Sequence, residues 1–268
     1  MPVRRPPAIG ITCNVQPPRD EGLYPGLPLE YCDRSLVQGV WRAGGTPLLL
    51  PVDLPDLRAA PVRARQLLAG IDGLLLSGGE DLTAAASPAK GQGHAPGPGD
   101  ALHAARDRLE LALLAEARQR GVPVLGVCRG LQLVCVASGG ALWADLPTQR
   151  PGPVPHRDGT RYLTHRHPVT VQPGSLLASL VDGERCPVSS AHHQGVRLPG
   201  AGLRVAATAD DGLVEALESV AASRVLAVQW HPEWLGEAEP AGGGLFRWLV
   251  EVAAGEREDQ TGRITESR

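Results

Sequence analysis

Short apolar runs alternate with helical patterns in the first half of the chain, and this alternation limits the folds that the chain can adopt. Ile71 to Leu76 and Val122 to Val127 have the length and the continuous apolar character of strands buried on both faces. Between them, Leu102 to Arg120 places Leu109 and Leu113 on one face of a long helix. Alternating strands and helices predict a largely parallel sheet that is covered by helices on both faces.

The second half of the chain predicts short strands that are joined by turns. The predicted strands are Val169 to Val171, Leu203 to Ala207, Leu213 to Glu218 and a last buried strand over Val225 to Trp230. We therefore expect an α/β core with antiparallel additions, in a single domain over residues 1–255. Asp81 to Gly99 is rich in Gly, Pro and Ala, which is typical of a surface loop. The polar residues from Glu256 to Arg268 predict a disordered tail.

Composition argues against several classes of function. The formal charge is −3, whereas general binding of nucleic acid needs a basic surface. No apolar run approaches the roughly 20 residues that span a membrane, and no stretch of signal-peptide character follows Met1 to Pro7. The five cysteines form no close pairs, which favours reduced thiols. These features predict a cytoplasmic protein in which one cysteine is free to act as a nucleophile.

The segment from Val124 to Gln132 carries the strongest chemical signal. An apolar strand ends at Cys128 and a helix begins at once, with Gly126 and Gly130 two residues to either side. This layout is typical of a nucleophile elbow, a sharp turn that raises the reactive atom above the sheet. The amino terminus of the helix favours the thiolate, which is the reactive form. Taken alone, the segment also fits an ordinary buried cysteine between a strand and a helix.

A second segment, Gln229 to Glu233, supplies a base for that cysteine. His231 and Glu233 follow the end of a buried strand. An imidazole there can accept the thiol proton, and a carboxylate two residues later can orient the imidazole. Together the two segments predict a catalytic triad of Cys128, His231 and Glu233.

Cys-Arg-Gly-Leu-Gln132 and Gln-Trp-His-Pro-Glu233 resemble the class I glutamine amidotransferase superfamily and, more narrowly, the γ-glutamyl-γ-aminobutyrate hydrolase family of the peptidase C26 group. Six further segments support the narrower resemblance, namely Ile9 to Thr12, Ala43 to Pro47, Leu76 to Asp81, Arg106 to Glu110, Ser190 to Gly195 and Asp211 to Glu215. The resemblance implies a flavodoxin-like three-layer α/β sandwich with a mostly parallel central sheet. It also implies hydrolysis of a small-molecule γ-glutamyl amide to glutamate and an amine through a cysteine thioester, without a cofactor.

The resemblance also implies roles for individual residues. The backbone N–H groups of Gly79 and Arg129 would hold the oxyanion, and the substrate would be bound by Gln132, His192 and Gln194. A glycine lets the backbone approach a ligand, and the residue after a nucleophile is a usual oxyanion donor. For the segment Arg106 to Glu110, a surface charge network and a substrate role both remain open.

Substrate choice is where the chain departs from the family pattern. After Asp81 many relatives continue with a proline and an aromatic-glycine pair, whereas this chain has Leu82 to Lys90 with neither. The resemblance implies that this loop lies near the mouth of the active site. The amine half of the substrate is therefore not predicted.

The histidines do not predict a metal site. His192 and His193 are adjacent and lack the i, i+4 spacing of helical zinc ligands. His165 and His167 could join such a site, but Pro168 follows them and indicates that they cap a strand. We therefore expect no metal and no cofactor.

Two alternatives to a free-standing hydrolase remain. The first is a glutaminase subunit that delivers ammonia to a separate synthetase, since such subunits also carry Cys, His and Glu. The second is a relative without catalytic activity, which the complete triad disfavours. A nucleic-acid partner and a membrane are not expected, and a homodimer is an assembly that the sequence leaves open.

Overall fold

The computed structural model of the chain describes residues 5–22, 24–52, 56–83, 86, 100–220, 224–237, 239 and 241–265. The strands are β1 (Ala8–Thr12), β2 (Asn14–Gln16), β3 (Leu29–Tyr31), β4 (Thr46–Leu50), β5 (Gly73–Leu76), β6 (Val124–Val127), β7 (Ala141–Trp143), β8 (Arg166–Val171), β9 (Arg185–Ser189), β10 (Gly195–Leu198), β11 (Leu203–Ala209), β12 (Val214–Ser219) and β13 (Val225–Val228). The helices are α1 (Arg34–Arg42), α2 (Ala60–Leu68), α3 (Asp100–Arg120), α4 (Arg129–Ala137), α5 (Leu146–Gln149), α6 (Leu176–Leu180) and α7 (Gly243–Thr265), with 3₁₀ turns over Leu57–Ala59 and Pro232–Trp234.

One large sheet organises the described residues. Its main path runs β4-β1-β5-β6-β13-β12-β11-β8-β9, with β10 joining β12 to β7 beside that path. The neighbours from β4 to β13 are parallel, and those from β13 to β9 are antiparallel. This arrangement confirms the predicted fold class of a mostly parallel α/β core with antiparallel additions.

Helices pack on both faces of the parallel strands and bury two apolar clusters. Successive side chains of β5 point to opposite faces, so Leu75 packs in the cluster formed with α1 and α7. Leu74 and Leu76 pack in the cluster formed with α2, α3 and α4. Every residue of β1, β5, β6 and β13 is buried, as expected for central strands covered on both faces.

Several elements differ from the sequence prediction. The two-stranded sheet of β2 with β3 and the short strand β7 were not predicted, because three residues are too few for a strand period to emerge. The sequence predicts a disordered tail from Glu256 onward, whereas α7 continues to Thr265. The Glu, Gln and Arg residues in this stretch are good helix formers. Most of the predicted loop from Asp81 to Gly99 lies outside the described residues.

No helix among the described residues is long and apolar enough to cross a membrane.

Candidate active site

Cys128 occupies a strained turn between β6 and α4. Its φ is 51° and its ψ is −100°, and among the described residues it is the one non-glycine residue with positive φ. Such backbone conformations cost of order 1–3 kcal/mol and concentrate at functional sites. The Cys128 N–H donates to Val228 O at 2.8 Å, which ties the turn to the neighbouring strand β13.

The small residues around Cys128 are required by close packing. A Cβ atom on Gly126 would lie 2.9 Å from the carbonyl carbon of Gly130 and 3.0 Å from Ala227 Cβ. A Cβ atom on Gly130 would lie 3.0 Å from Leu76 Cβ and would collide with Leu76 O. Helix α4 therefore starts directly against strands β5 and β13, which gives the turn the shape of a nucleophile elbow.

His231 follows β13 on the neighbouring strand end and is held from several sides. Its Nδ1 lies 2.7 Å from Glu233 Oε1, and its backbone N–H donates to Ser189 Oγ at 3.1 Å. The Trp234 ring stacks on the imidazole with centroids 3.8 Å apart. Because a carboxylate only accepts hydrogen bonds, Nδ1 carries the proton and Nε2 is the nitrogen available to Cys128.

The charge of His231 depends on its two neighbours. Burial lowers the pKa of His231, but the negative Glu233 carboxylate and Cys128 sulfur outweigh burial and raise this pKa to about 10. The structure therefore brings a buried imidazole that is readily protonated next to the cysteine sulfur. Gln229 Nε2 also points to that sulfur, at 3.6 Å.

The loop after β5 faces the same point. A Cβ atom on Gly78 would lie 2.8 Å from His231 Cε1 and 3.6 Å from Cys128 Cβ, so this backbone is in contact with the predicted triad. Gly79 has a φ of 142°, which a residue with a side chain rarely adopts, and it is exposed to the cavity described below. Of the two candidate oxyanion donors, Gly79 lines the same cavity as Cys128, and Arg129 directly follows Cys128 at the start of α4.

A buried ion network fixes this loop from behind. Arg106 Nη2 donates to Ser77 O at 3.1 Å and to Gly78 O at 2.9 Å, and Arg106 Nε donates to Glu110 Oε1 at 3.0 Å. The Arg129 guanidinium pairs with both Glu110 and Asp107. Burial raises the pKa of Glu110, yet the guanidinium groups of Arg106 and Arg129 outweigh it and hold this pKa below its usual range.

This network answers the question that the sequence left open for Arg106 to Glu110. Arg106, Asp107 and Glu110 are all buried, so they form neither a surface charge network nor a direct lining of the cavity. Their contacts instead hold the backbone of the Gly78 loop and the side chain of Arg129, next to both candidate oxyanion donors.

A cavity of about 300 Å³ opens over Cys128 and His231. That volume suits a small molecule. The remaining side chains that line it are mostly polar, and they include Asn14, Tyr31, Asp33, Glu80, Asp81, Gln132, Arg157, Tyr162, His192, His193, Gln194, Glu233 and Trp234. All three predicted substrate-binding residues are therefore among its walls.

Gln132 and Gln194 differ in the hydrogen bonds that their side-chain amides make. Gln132 Nε2 lies 3.4 Å from both Gln194 O and Gln229 Oε1. Gln194 Nε2 donates to Ala144 O at 3.1 Å, while its Oε1 is buried without a hydrogen-bond partner. A buried amide oxygen without a partner is costly, so this oxygen is an unusual feature of the cavity wall.

His192 and His193 point in different directions. His192 lines the cavity, but its Nδ1 lies 2.8 Å from Gln194 O and its Nε2 faces Glu215 at 3.5 Å, away from the cavity. His193 lies between Asp81 and Asp145, with Nε2 3.0 Å from Asp81 Oδ1. The polar atoms of His192 therefore belong to a second cluster behind the cavity wall.

Sequence reasoning missed Arg157, Tyr162 and Trp234, which also line the cavity. Arg157 and Tyr162 lie in a segment between α5 and β8 that has no regular structure and no distinctive motif. Trp234 directly follows the segment that ends at Glu233. Its position next to a predicted triad residue was the one sequence signal that could have identified it.

Comparison with known proteins places the chain in a family. The model of the peptidase C26 family matches residues 7–233. The chain belongs to the peptidase C26 family. A Mycobacterium tuberculosis protein named "Putative glutamine amidotransferase" is 39% identical over 251 residues, which cover 93% of this chain and 75% of that protein. The γ-glutamyl-γ-aminobutyrate hydrolase of Escherichia coli K12 is 36% identical over 218 residues, 78% of this chain and 81% of that enzyme.

The fold of this peptidase C26 member also matches a solved structure. A Thermoplasma acidophilum protein described as a "putative gmp synthase subunit a protein" superposes with a TM-score of 0.63, at 16% identity, covering 97% of this chain and 100% of that one. The similarity is in the fold. Cys128 and His231 lie within the segment that the family model matches, and Glu233 is its last residue.

Proposed function

We propose that the protein is a cysteine-dependent hydrolase of γ-glutamyl amides that releases glutamate and an amine. The observation that carries the proposal is the meeting of three features in one cavity, namely the strained Cys128 turn, the His231–Glu233 pair and the glycine loop at Gly78. The family membership and the named hydrolase relative support the same reaction.

The reaction that we propose begins with attack of the Cys128 sulfur on the side-chain carbonyl carbon of the glutamyl group. The new S–C bond pushes the carbonyl electrons onto oxygen, and the N–H groups of Gly79 and Arg129 stabilise the oxyanion. As the oxyanion collapses, the C–N bond breaks and His231 donates its proton to the leaving amine. Glu233 keeps the imidazole oriented through Nδ1.

The γ-glutamyl thioester is then hydrolysed by water. His231, now neutral, accepts a proton from the water as its oxygen attacks the thioester carbonyl. The S–C bond breaks, glutamate leaves and the sulfur returns as thiolate beside the imidazolium. The chain's own residues perform each of these proton transfers, so the proposed reaction requires no cofactor.

The charges around the cavity suit a glutamyl head group. An α-amino acid presents an ammonium and a carboxylate, and the cavity walls carry both the Arg157 guanidinium and the Glu80 carboxylate. Gln132 and Gln194 line the same cavity and offer amide groups for hydrogen bonds with the ligand. We propose that Gln132, Gln194 and the ring face of His192 contact this half of the substrate.

A glutaminase that supplies ammonia to a separate synthetase is the second candidate. The glutamine amidotransferase name of the mycobacterial relative and the fold of the Thermoplasma acidophilum protein favour it. The first half-reaction would be the same, with glutamine as the γ-glutamyl amide. The two candidates therefore differ in substrate preference and in dependence on a partner.

The test measures glutamate release from glutamine and from a panel of γ-glutamyl amides, using the purified full chain with and without extract of its source cells. A hydrolase should act on several γ-glutamyl amides without extract, and Cys128→Ala should lose activity by orders of magnitude while remaining folded by circular dichroism. Turnover of glutamine that requires extract would favour the glutaminase candidate. Retained hydrolysis in Cys128→Ala would overturn both.

A further inference from the structure

Three histidines and one glutamate converge behind the wall of the active-site cavity. His156, His167, His192 and Glu215 each direct one nitrogen or oxygen atom to a common point, and these four atoms lie within 4.8 Å of one another. Relative to Glu215 Oε1, His156 Nδ1 lies at 3.3 Å, His192 Nε2 at 3.5 Å and His167 Nε2 at 3.6 Å. We name these four residues the His₃Glu cluster.

The cluster is closed to solvent. Its members are between 0% and 7% exposed. None of the three nitrogens that face the centre has a hydrogen-bond partner, and neither Glu215 oxygen has one. The nitrogens are close to Oε1, but the pairs lack the geometry of hydrogen bonds. Burying five such atoms without partners is costly, so the arrangement calls for a ligand that satisfies all of them together.

The outer nitrogen of each histidine fixes which tautomer faces the centre. His156 Nε2 lies 3.1 Å from Asp211 Oδ2, His192 Nδ1 lies 2.8 Å from Gln194 O, and His167 Nδ1 lies 3.2 Å from Pro168 O. Carboxylate and carbonyl oxygens only accept hydrogen bonds, so each outer nitrogen carries a proton. In a neutral imidazole the inner nitrogen then presents a lone pair.

Three lone pairs and a carboxylate that face one another repel, unless one imidazole takes up a second proton or a metal cation lies between them. A protein that binds metal through histidine commonly has this second layer, in which each ligand donates its outer N–H to a carboxylate or a backbone carbonyl. Here all three histidines have it. Asp211 is itself held by Arg150 Nη1 at 2.6 Å, which extends the support of His156 by one further residue.

We propose that the His₃Glu cluster binds a divalent transition-metal ion, with zinc as the best fit. Imidazole nitrogens and a carboxylate oxygen bind zinc at about 2.0–2.2 Å, and a tetrahedral arrangement at that radius places ligand atoms about 3.3–3.6 Å apart. The three nitrogen–oxygen distances agree with this spacing. The other pairs of ligand atoms, which lie within 4.8 Å of one another, would move closer together when the ion binds. Four protein ligands leave no open position, so the ion would be structural.

The site would link segments that are distant in the sequence. His167 lies on β8 and Glu215 on β12, while His156 and His192 lie on the segments before β8 and before β10. His192 and its neighbour Ala191 also line the active-site cavity, as does Arg157 beside His156. An ion here would fix two walls of the cavity without reaching the Cys128 sulfur. The proposal does not depend on the reaction proposed above.

The first test is the metal content of the purified full chain, measured by inductively coupled plasma mass spectrometry after incubation with zinc and gel filtration. We expect about one zinc per chain. Glu215→Gln and His167→Gln should lose it. Cys128→Ala and His103→Gln should keep it, because the first removes the active-site thiol and the second removes a histidine of α3 outside the cluster. Zinc retained in both cluster variants would place the ion elsewhere and overturn the proposal.

A second test uses the unmodified protein, so that a variant that fails to fold does not leave the question undecided. The protein is treated with a chelator, and its melting temperature is followed as zinc is added back. A ligand that binds only the folded state raises the melting temperature, on the order of 5–10 °C at about 100 times Kd. The tetrahedral visible spectrum of added Co²⁺ should appear and then be lost on adding zinc. No zinc uptake and no change in melting temperature would overturn the site.

Discussion

The indole ring of Trp234 lies flat on the imidazole of His231, with ring centroids 3.8 Å apart and planes 8° apart. An aromatic face attracts a cation, and the attraction is worth about 0.5–2 kcal/mol. Because the pKa of His231 is raised to about 10, the stacked imidazole is cationic near neutral pH. Trp234 therefore stabilises the protonated state of His231 and limits the rotation of its ring.

We predict that Trp234→Leu lowers kcat by roughly 2- to 30-fold, which is the stacking energy expressed as a rate. It should also lower the pKa of His231, as measured by NMR titration. Trp234→Phe is the matched control, because it keeps a stacking ring but removes the Nε1 donor to Asp33 Oδ2 at 3.0 Å. Equal effects of Leu and Phe would assign the role to that hydrogen bond instead.

Brief treatment with iodoacetamide should label Cys128 before any other cysteine. Burial raises the pKa of Cys13 to about 11, of Cys32 to about 12 and of Cys135 to about 11. At pH 8 a thiol with a pKa near 11 is about one part in a thousand thiolate. Burial also raises the pKa of Cys186. Cys128 lies in the cavity beside His231. Peptide mass spectrometry gives the order of labelling, and faster modification of another cysteine would argue against the triad.

Gly78→Ala should impair catalysis without large loss of stability. The added Cβ would lie 2.8 Å from His231 Cε1, so the imidazole must shift from its position beside Cys128. Displacing a catalytic group by about 1 Å can cost on the order of 10²-fold in rate. Gly70→Ala, where a Cβ meets nothing closer than 3.6 Å, is the control for the glycine-to-alanine change itself. Equal kcat in the two variants would mean that His231 is not the base.

The stability that the Glu233–His231 pair contributes should depend on pH. The pKa of His231 is raised from 6.5 to about 10 in the folded state, so this contribution is complete below pH 6.5 and is lost as the pH rises through 10. We expect the melting temperature of Glu233→Gln to fall furthest below that of the unmodified protein near pH 6, and the gap to narrow by pH 10. Glu237→Gln, which removes an exposed partner of Arg42, should show no such trend.

The parts of the site that follow strand ends could be predicted from the sequence. Cys128 and His231 each come directly after an apolar run, and parallel strands bring their carboxyl ends to one edge of a sheet. The pairing of β6 with both β5 and β13 then brings the glycine loop, the cysteine and the histidine together. Local pattern and fold rules are enough for this part.

The His₃Glu cluster could not be predicted in the same way. Its members are dispersed from His156 to Glu215, and they meet only because β8 and β12 both pair with β11. The adjacent pair His192 and His193 suggested no metal geometry, and in the structure only His192 faces the cluster. The sequence expectation of no metal site rested on short-range spacing, whereas the cluster depends on the order of strands in the sheet.

The last prediction concerns the two halves of the substrate. The walls that we assign to the glutamyl half carry buried polar groups with defined partners, among them Gln132 and Gln194. A site that hydrogen-bonds a charged or polar group rejects analogues that lack the group by about 10⁴-fold or more. Removing the α-carboxylate or the α-ammonium of the glutamyl group should therefore lower kcat/KM steeply.

The family resemblance implies that the amine half faces the loop that follows Asp81, and the small residues in the sequence of this loop offer few groups for discrimination. One methylene more or less in a loosely defined pocket changes kcat/KM by only about 10- to 200-fold. We expect γ-glutamyl amides of several amines to differ within that range, with glutamate release as the common readout. Glutamine itself, whose amine half is ammonia, belongs in the same series. A steep amine series together with tolerance of glutamyl changes would mean that the two halves bind in the opposite orientation, with the amine at Gln132 and Gln194.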